Sequence, residues 1–275
     1  MLRIENLTKT YGEVKAVDSL SLHIAAGEIY GFIGHNGAGK TTTIKSCCGI
    51  LDFDSGNIFI NGTSIKENPL FCKSVLAYIP DNPDIYEFMT GIQYLNFIAD
   101  IFNVDADVRQ ERIRKYSDLF EITSDLAQPI RAYSHGMKQK LAVISALIHE
   151  PKLVIMDEPF VGLDPKAAHI LKGIMRDICN NGGAIFFSTH VLEVAEKLCD
   201  KIAIINIGNC IANETPFVSQ LQNNDNDNRL LVQKPKIAIE SNKVNRRRVL
   251  KSQRRKVLES LCLCVSAFFI IKVFR

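Results

Sequence analysis

The sequence predicts an α/β fold: a parallel-sheet core interrupted by a helical insertion. Two observations carry that expectation. Continuous apolar runs, "LVIM", "AIFFS" and "KIAIIN", have the pattern of strands covered on both faces. Between residues 82 and 150 the apolar positions recur instead at helical spacing, as in "GIQYLNFIADIF" and "VRQERIRKYSDLF". A chain of 275 residues, 47% hydrophobic and 23% charged, can bury one such core plus a smaller subdomain.

The elements follow in order. "MLRIENLTKTYG" lacks the apolar stretch of a signal peptide, so the body is expected in the cytoplasm. "SLHIAAGEIYGFIG" reads as two strands around a turn at Ala26 and Gly27, "KTTTIKSCCGIL" as a helix, and "GNIFING" as a strand ending in an Asn-Gly turn. The helical insertion occupies roughly 82–150, after which the three apolar runs return the chain to the sheet. Eight cysteines, at 47, 48, 72, 179, 199, 210, 262 and 264, form no C-x-x-C pair and are expected as buried reduced thiols. The histidines form no cluster with ligand spacing, so no protein-held zinc is expected.

The polar, low-complexity "QLQNNDNDN" marks a boundary near 220. This divides the chain into a domain over 1–220 and a tail over 221–275. Residues 222–275 carry 13 Lys+Arg against 4 Asp+Glu, which leaves a mildly acidic body. The apolar stretch Leu261 to Ile271 is 11 residues, short of the roughly 20 that cross a bilayer. Three readings of the tail stand: an unstructured extension, a peripheral anchor to an anionic membrane surface, or a nucleic-acid contact. Nucleic acid is the least favoured, because the basic residues have no interleaved aromatic platform.

Gly34-His-Asn36-Gly37-Ala-Gly39-Lys40-Thr41 fits G-x-x-x-x-G-K-[ST] between a strand and a helix, the setting of a triphosphate-binding loop. Glycines let backbone N–H groups turn towards phosphate oxygens, and the helix N-terminus adds unpaired donors. Lys40 reaches the β- and γ-phosphates, the Thr41 hydroxyl ligates Mg²⁺, and Thr42 donates one more phosphate hydrogen bond. "KLVIMDEP" then ends a buried strand in two carboxylates at the edge where ligands bind in parallel sheets. Asp157 is expected to hold Mg²⁺ through water. Glu158, facing the other way, is expected to polarise the attacking water as general base. A lone histidine after a strand is more often a helix cap or a surface residue; beside the other motifs, His190 after "AIFFST" has a second reading, contacting the γ-phosphate and keeping that water in line.

"YSHGMKQ" supplies a second set of anion-binding parts: Ser134 to cap a helix, Gly136 to bare the backbone, and a helix dipole behind them. A Ser-capped buried helix explains the serine but not a glycine so close to its start. Taken in order, "GHNGAGKTT", "YSHGMKQ", "VIMDEP", "GLD" and "STH" resemble the ATP-binding subunit of an ABC transporter, in the branch serving drug, lipid and polysaccharide exporters. The resemblance covers residues 1–215. It implies a P-loop NTPase core with an N-terminal antiparallel β subdomain and an inserted helical subdomain.

It also implies the activity: ATP hydrolysis that drives a separate membrane permease, with ATP and Mg²⁺ bound between two subunits packed head to tail. "YSHGMKQ" corresponds to the signature loop, usually L-S-G-G-Q. Ser134, Gly136 and Gln139 are thereby assigned to the partner's nucleotide. Tyr11 corresponds to the aromatic that stacks on adenine, with Val17 packing on the same nucleoside. Gly162, Leu163 and Asp164 correspond to the loop crossing the dimer interface. Asp81 stands where the family commonly has Gln, in contact with Mg²⁺ and coupled to the permease. A second copy or a homologous subunit, the permease and the inner membrane surface are the implied partners. The rival reading is a soluble ABC ATPase acting on ribosomes or nucleic acid, and a single cassette without long coiled-coil insertions speaks against it.

Overall fold

The computed structural model describes residues 1–83, 85–206 and 208–214. All of these belong to one unit, Met1–Phe217. The expected basic tail, with Cys262 and Cys264, lies outside the described residues. The chain opens with two long strands, β1 (Leu2–Tyr11) and β2 (Val14–Ile24), and continues into β3 (Ile29–Ile33). The Ala26-Gly27 turn joins β2 to β3 as expected, but the two strands belong to different sheets.

Helix α1 (Lys40–Cys47) is shorter than the apolar pattern suggests. Gly49 adopts φ 61°, a left-handed conformation that stops a helix at little steric cost. Strands β4 (Ser55–Ile60) and β5 (Thr63–Ser64) flank Asn61 and Gly62, both at positive φ, as the Asn-Gly signal requires. Helix α2 (Pro69–Ser74), capped by Asn68, leads to β6 (Leu76–Ile79).

The insertion contains α3 (Gly91–Ile101), α4 (Ala106–Leu119), two short 3₁₀ turns and α5 (His135–Leu147). Helix α3 starts in a reciprocal cap: Thr90 accepts from the N–H of Gln93, and Gln93 returns the bond to Thr90. Then come β7 (Leu153–Asp157), α6 (Pro165–Asn180), β8 (Ala184–Thr189), α7 (Leu192–Leu198), β9 (Lys201–Asn206) and β10 (Asn209–Glu214). Helix α6 buries Ala167, Leu171, Met175 and Cys179, one residue per turn along a single stripe.

Two sheets result. The order β2-β1-β4-β5 is antiparallel throughout. The order β10-β9-β3-β8-β7-β6 is parallel except for β10. Alternation splits each central strand between two cores. Val154 and Met156 of β7 pack on the helical side, with Ile185 and Phe187 of β8. Leu153 and Ile155 pack on the antiparallel sheet, with Ala184 and Phe186. Both faces are covered, which is why these strands read as continuous apolar runs. Cys47, Cys48, Cys72, Cys179 and Cys199 are buried and free. No helix among the described residues is long and apolar enough to cross a membrane.

Candidate active site: a phosphate-loop pocket

Four parallel strands deliver the site to one sheet edge. The loop 34–39 follows β3, Asp81 follows β6, Asp157 ends β7, and His190 follows β8. The pocket holds about 220 Å³. Asn36, Gly37, Gly39, Lys40, Thr41 and Thr42 line one side, and Asp81, Asp157 and Glu158 face them. Residues scattered over more than 120 positions thus converge on one pocket.

The loop is built on close approach. Gly39 adopts φ 104°, and a Cβ there would overlap the carbonyl oxygen of Ala16. A Cβ on Gly34 would lie 2.6 Å from the carbonyl oxygen of Ile205. Lys40 is buried, and its ammonium donates to the carbonyls of Gly34 at 2.6 Å and His35 at 3.3 Å. The Thr41 hydroxyl donates to Asp157 Oδ2 at 2.7 Å.

Asp157 is 1% exposed. Burial pushes its carboxyl above the usual range, against hydrogen bonds from Ser188 and Thr41 that favour the charged form. The negative charges of Asp81 and Glu158 push it up further. Such a group wants a cation. No cluster of three His, Cys, Asp or Glu side chains able to hold a metal occurs among the described residues. One hydroxyl and one buried carboxylate beside a phosphate loop form a donor set that could hold Mg²⁺, which keeps waters and phosphate oxygens as most of its ligands.

Glu158 departs from the expected geometry. It was to face away from Asp157 by strand alternation, yet both carboxylates line the same pocket. Its φ of 48° is left-handed, so the backbone leaves the strand and returns the side chain to the site. Oε1 lies 3.7 Å from Lys40 Nζ, and Oε2 lies 2.9 Å from His190 Nδ1. Ser188, which the sequence reading passed over, sits beneath both acids. Its hydroxyl donates to Asp157 Oδ1 and accepts the N–H of Glu158 at 3.0 Å.

Two expected contacts fail. Val17 is fully buried in the core between the sheets, and Ala16 lines the pocket instead. The β1–β2 register slips here: Lys9 pairs with Val17 and Thr10 with Lys15, which leaves Ala16 as the extra residue of a bulge. Gln139 is fully buried too, and neither side-chain polar atom has a partner among the described residues. In L-S-G-G-Q the glutamine comes three residues after the serine, a place that Met137 holds in this chain.

The other signature residues lie apart from the pocket wall. Ser134 caps α5, its Oγ accepting the Met137 N–H at 3.3 Å. Gly136 has a packing reason, since a Cβ there would lie 2.8 Å from the carbonyl oxygen of Gly162. Gly162, at φ 82°, lies beneath the His135 ring, which a Cβ would strike. Asp164 caps α6 through the Ala167 N–H at 2.7 Å and pairs with Lys140 at 2.8 Å. Tyr11 is 36% exposed at the end of β1, with Lys9 Nζ 5.6 Å from its ring centre.

Comparison with known proteins identifies the family and the fold. The family described as ABC transporter matches residues 17–161. The ABC-type transporter ATP-binding protein EcsA of Bacillus subtilis (strain 168) is 34% identical over 78% of this chain and 87% of its own length. The bacitracin transport ATP-binding protein BcrA of Enterococcus faecalis is 34% identical over 77% of this chain and 68% of its own. A solved ATP-binding subunit of an ABC transporter superposes with a TM-score of 0.75 at 34% identity, covering 78% of this chain and 90% of that one. The chain belongs to the ABC transporter family as one of its ATP-binding subunits, an ATPase whose hydrolysis is coupled to transport across a membrane.

Proposed function

We propose that this subunit powers a separate export permease by closing head to tail on a second copy, or a homologous subunit, around ATP. The observation that carries the proposal is the position of Ser134. It is exposed at the start of α5 and forms no part of the wall of the chain's own phosphate pocket. A helix start suited to an anion that lies outside the lining of its own nucleotide site has a use if it serves another chain's nucleotide.

In this reading the loop 34–39, Lys40 and Thr42 hold the phosphates, and Thr41, Asp157 and Asp81 hold Mg²⁺. The cation, when bound, neutralises charge on the phosphate oxygens. Glu158 takes a proton from the water that attacks the γ-phosphorus, and ADP leaves as the bond to the γ-phosphoryl group breaks. His190 holds Glu158 and the γ-phosphate in line. Tyr11 stacks on the adenine with Ala16 below it, and Ser134 and Gly136 close on the partner's γ-phosphate. Asp164 orders the loop beside that interface.

The domain reading takes residues 1–220 as the ATP-binding domain, 82–150 as its helical subdomain and 221–275 as a separate basic tail. The protein works at the cytoplasmic face of the membrane. Relatives named for bacitracin transport and for Nod factor export support the exporter assignment. The test is sedimentation of purified Glu158→Gln protein with and without ATP and Mg²⁺, alone and co-purified with its permease. A nucleotide-dependent shift from monomer to dimer is expected, and a protein that stays monomeric in every condition overturns the proposal.

A further inference from the structure

We propose that Ser188 is a positioning residue for ATP hydrolysis, clamping the Asp157–Glu158 peptide so that both acids address one pocket. The inference rests on the assignment of Glu158 as base and Asp157 as cation ligand.

Ser188 is fully buried near the end of β8, directly opposite Asp157 of β7 in parallel register. A hydroxyl has one proton and two lone pairs. Here the proton goes to Asp157 Oδ1, and a lone pair takes the N–H of Glu158. One side chain therefore fixes the carboxylate of one residue and the backbone of the next.

The second contact matters because of the backbone at Glu158. A non-glycine residue at φ 48° is held there by its surroundings. Its N–H lies just past the end of β7, and without Ser188 this part-buried donor would lose its partner. The left-handed turn returns Glu158 to the pocket, where its two oxygens face Lys40 and His190. Ser188 thus sets the direction of the Glu158 carboxylate through the backbone N–H it holds. On the other side Asp157 is bracketed by two hydroxyls, Thr41 on Oδ2 and Ser188 on Oδ1, which leaves little freedom of rotation.

Thr and Val have nearly the same shape and both suit a strand, so that pair separates the hydroxyl from packing. Steady-state ATPase kinetics, nucleotide titration and thermal melting are read on Ser188→Ala, Ser188→Thr and Ser188→Val beside Glu158→Gln. Ser188→Ala and Ser188→Val are expected to lose on the order of 10- to 100-fold in kcat while KM for ATP stays within about 3-fold. Ser188→Thr is expected to restore kcat to within about 3-fold of the parent. Combining Ser188→Ala with Glu158→Gln is expected to cost less than the product of the two single losses, because part of the Ser188 effect passes through Glu158.

Ser188→Ala adds least bulk and decides the matter if the β-branched variants melt early. An unchanged kcat in Ser188→Ala, or equal losses in well-folded Thr and Val variants, overturns the clamp and leaves the base assignment standing. Undiminished turnover in Glu158→Gln overturns the base assignment itself.

Discussion

Glu158 and His190 meet through Oε2 and Nδ1 at 2.9 Å, although 31 residues and a whole helix separate them in the chain. The contact leaves the other Glu158 oxygen facing Lys40, at the mouth of the phosphate loop. A carboxylate held by an imidazole and a buried ammonium is fixed in direction, as a base must be.

Replacing Glu158 by Gln keeps the shape and removes the basicity. Turnover is expected to fall by about 10²-fold or more, with ATP affinity within about 3-fold of the parent. Phosphate release and titration with a fluorescent nucleotide read the two quantities separately. Undiminished turnover would remove Glu158 from the mechanism.

Gly39→Ala asks an L-residue to adopt φ 104° with its Cβ against the Ala16 carbonyl. The loop must shift and its N–H groups lose their common focus. ATP affinity is expected to fall at least about 10-fold, read by calorimetry, with a lower melting temperature.

Gly162→Ala places a methyl group in the His135 ring and strains a backbone at φ 82°. Lower stability and lower ATPase activity are expected. His135→Gly in the same chain should recover part of both, because it removes the clash but not the strain. Melting curves and phosphate release on the two single variants and the double variant decide. A double variant no better than Gly162→Ala would show that the ring is not the obstacle.

His149 gives a pH dependence away from the site. Its ring stacks on Phe102 at 3.7 Å, and Nε2 lies 3.3 Å from the Leu76 carbonyl oxygen. Burial lowers its pKa from 6.5 to about 4, outweighing the Leu76 hydrogen bond, and the Arg112 charge lowers it further. Arg112 itself pairs with Glu150. Below pH 6.5 the unfolded chain takes up a proton that the folded chain refuses. Stability present above pH 6.5 is therefore lost progressively as pH falls through 4, by as much as ~3 kcal/mol. His149→Phe should flatten the fall in melting temperature between pH 7 and pH 4.5. An identical slope in both proteins would place the acid sensitivity elsewhere.

What the sequence made legible was local or periodic. The phosphate loop and "IMDEP" are contiguous, so spacing and the preceding strand were enough to place Lys40, Thr41 and Asp157. Covered strands announced themselves by continuous apolar runs. Ser188 was not legible because its role depends on β7 and β8 lying in register with Asp157 opposite it, a relation between segments rather than within one. Val17 was misplaced because the family correspondence carries no sign of the bulge at Ala16, which puts Ala16 on the pocket and Val17 in the core. Gln139 was misplaced by its register along the signature pattern. Its burial among the α5 core residues shows which face of the helix it occupies. The left-handed turn at Glu158 leaves no mark on residue type, since glutamate gives no hint of positive φ.

The ion pair between Lys140 and Asp164 and the seating of His135 on Gly162 join the start of α5 to the segment that follows Glu158. On the proposed pairing, that segment borders the chain's own chamber while α5 seals the opposite one. On that pairing, a shift of the wall of one chamber would reach the other through these two contacts, within a single chain.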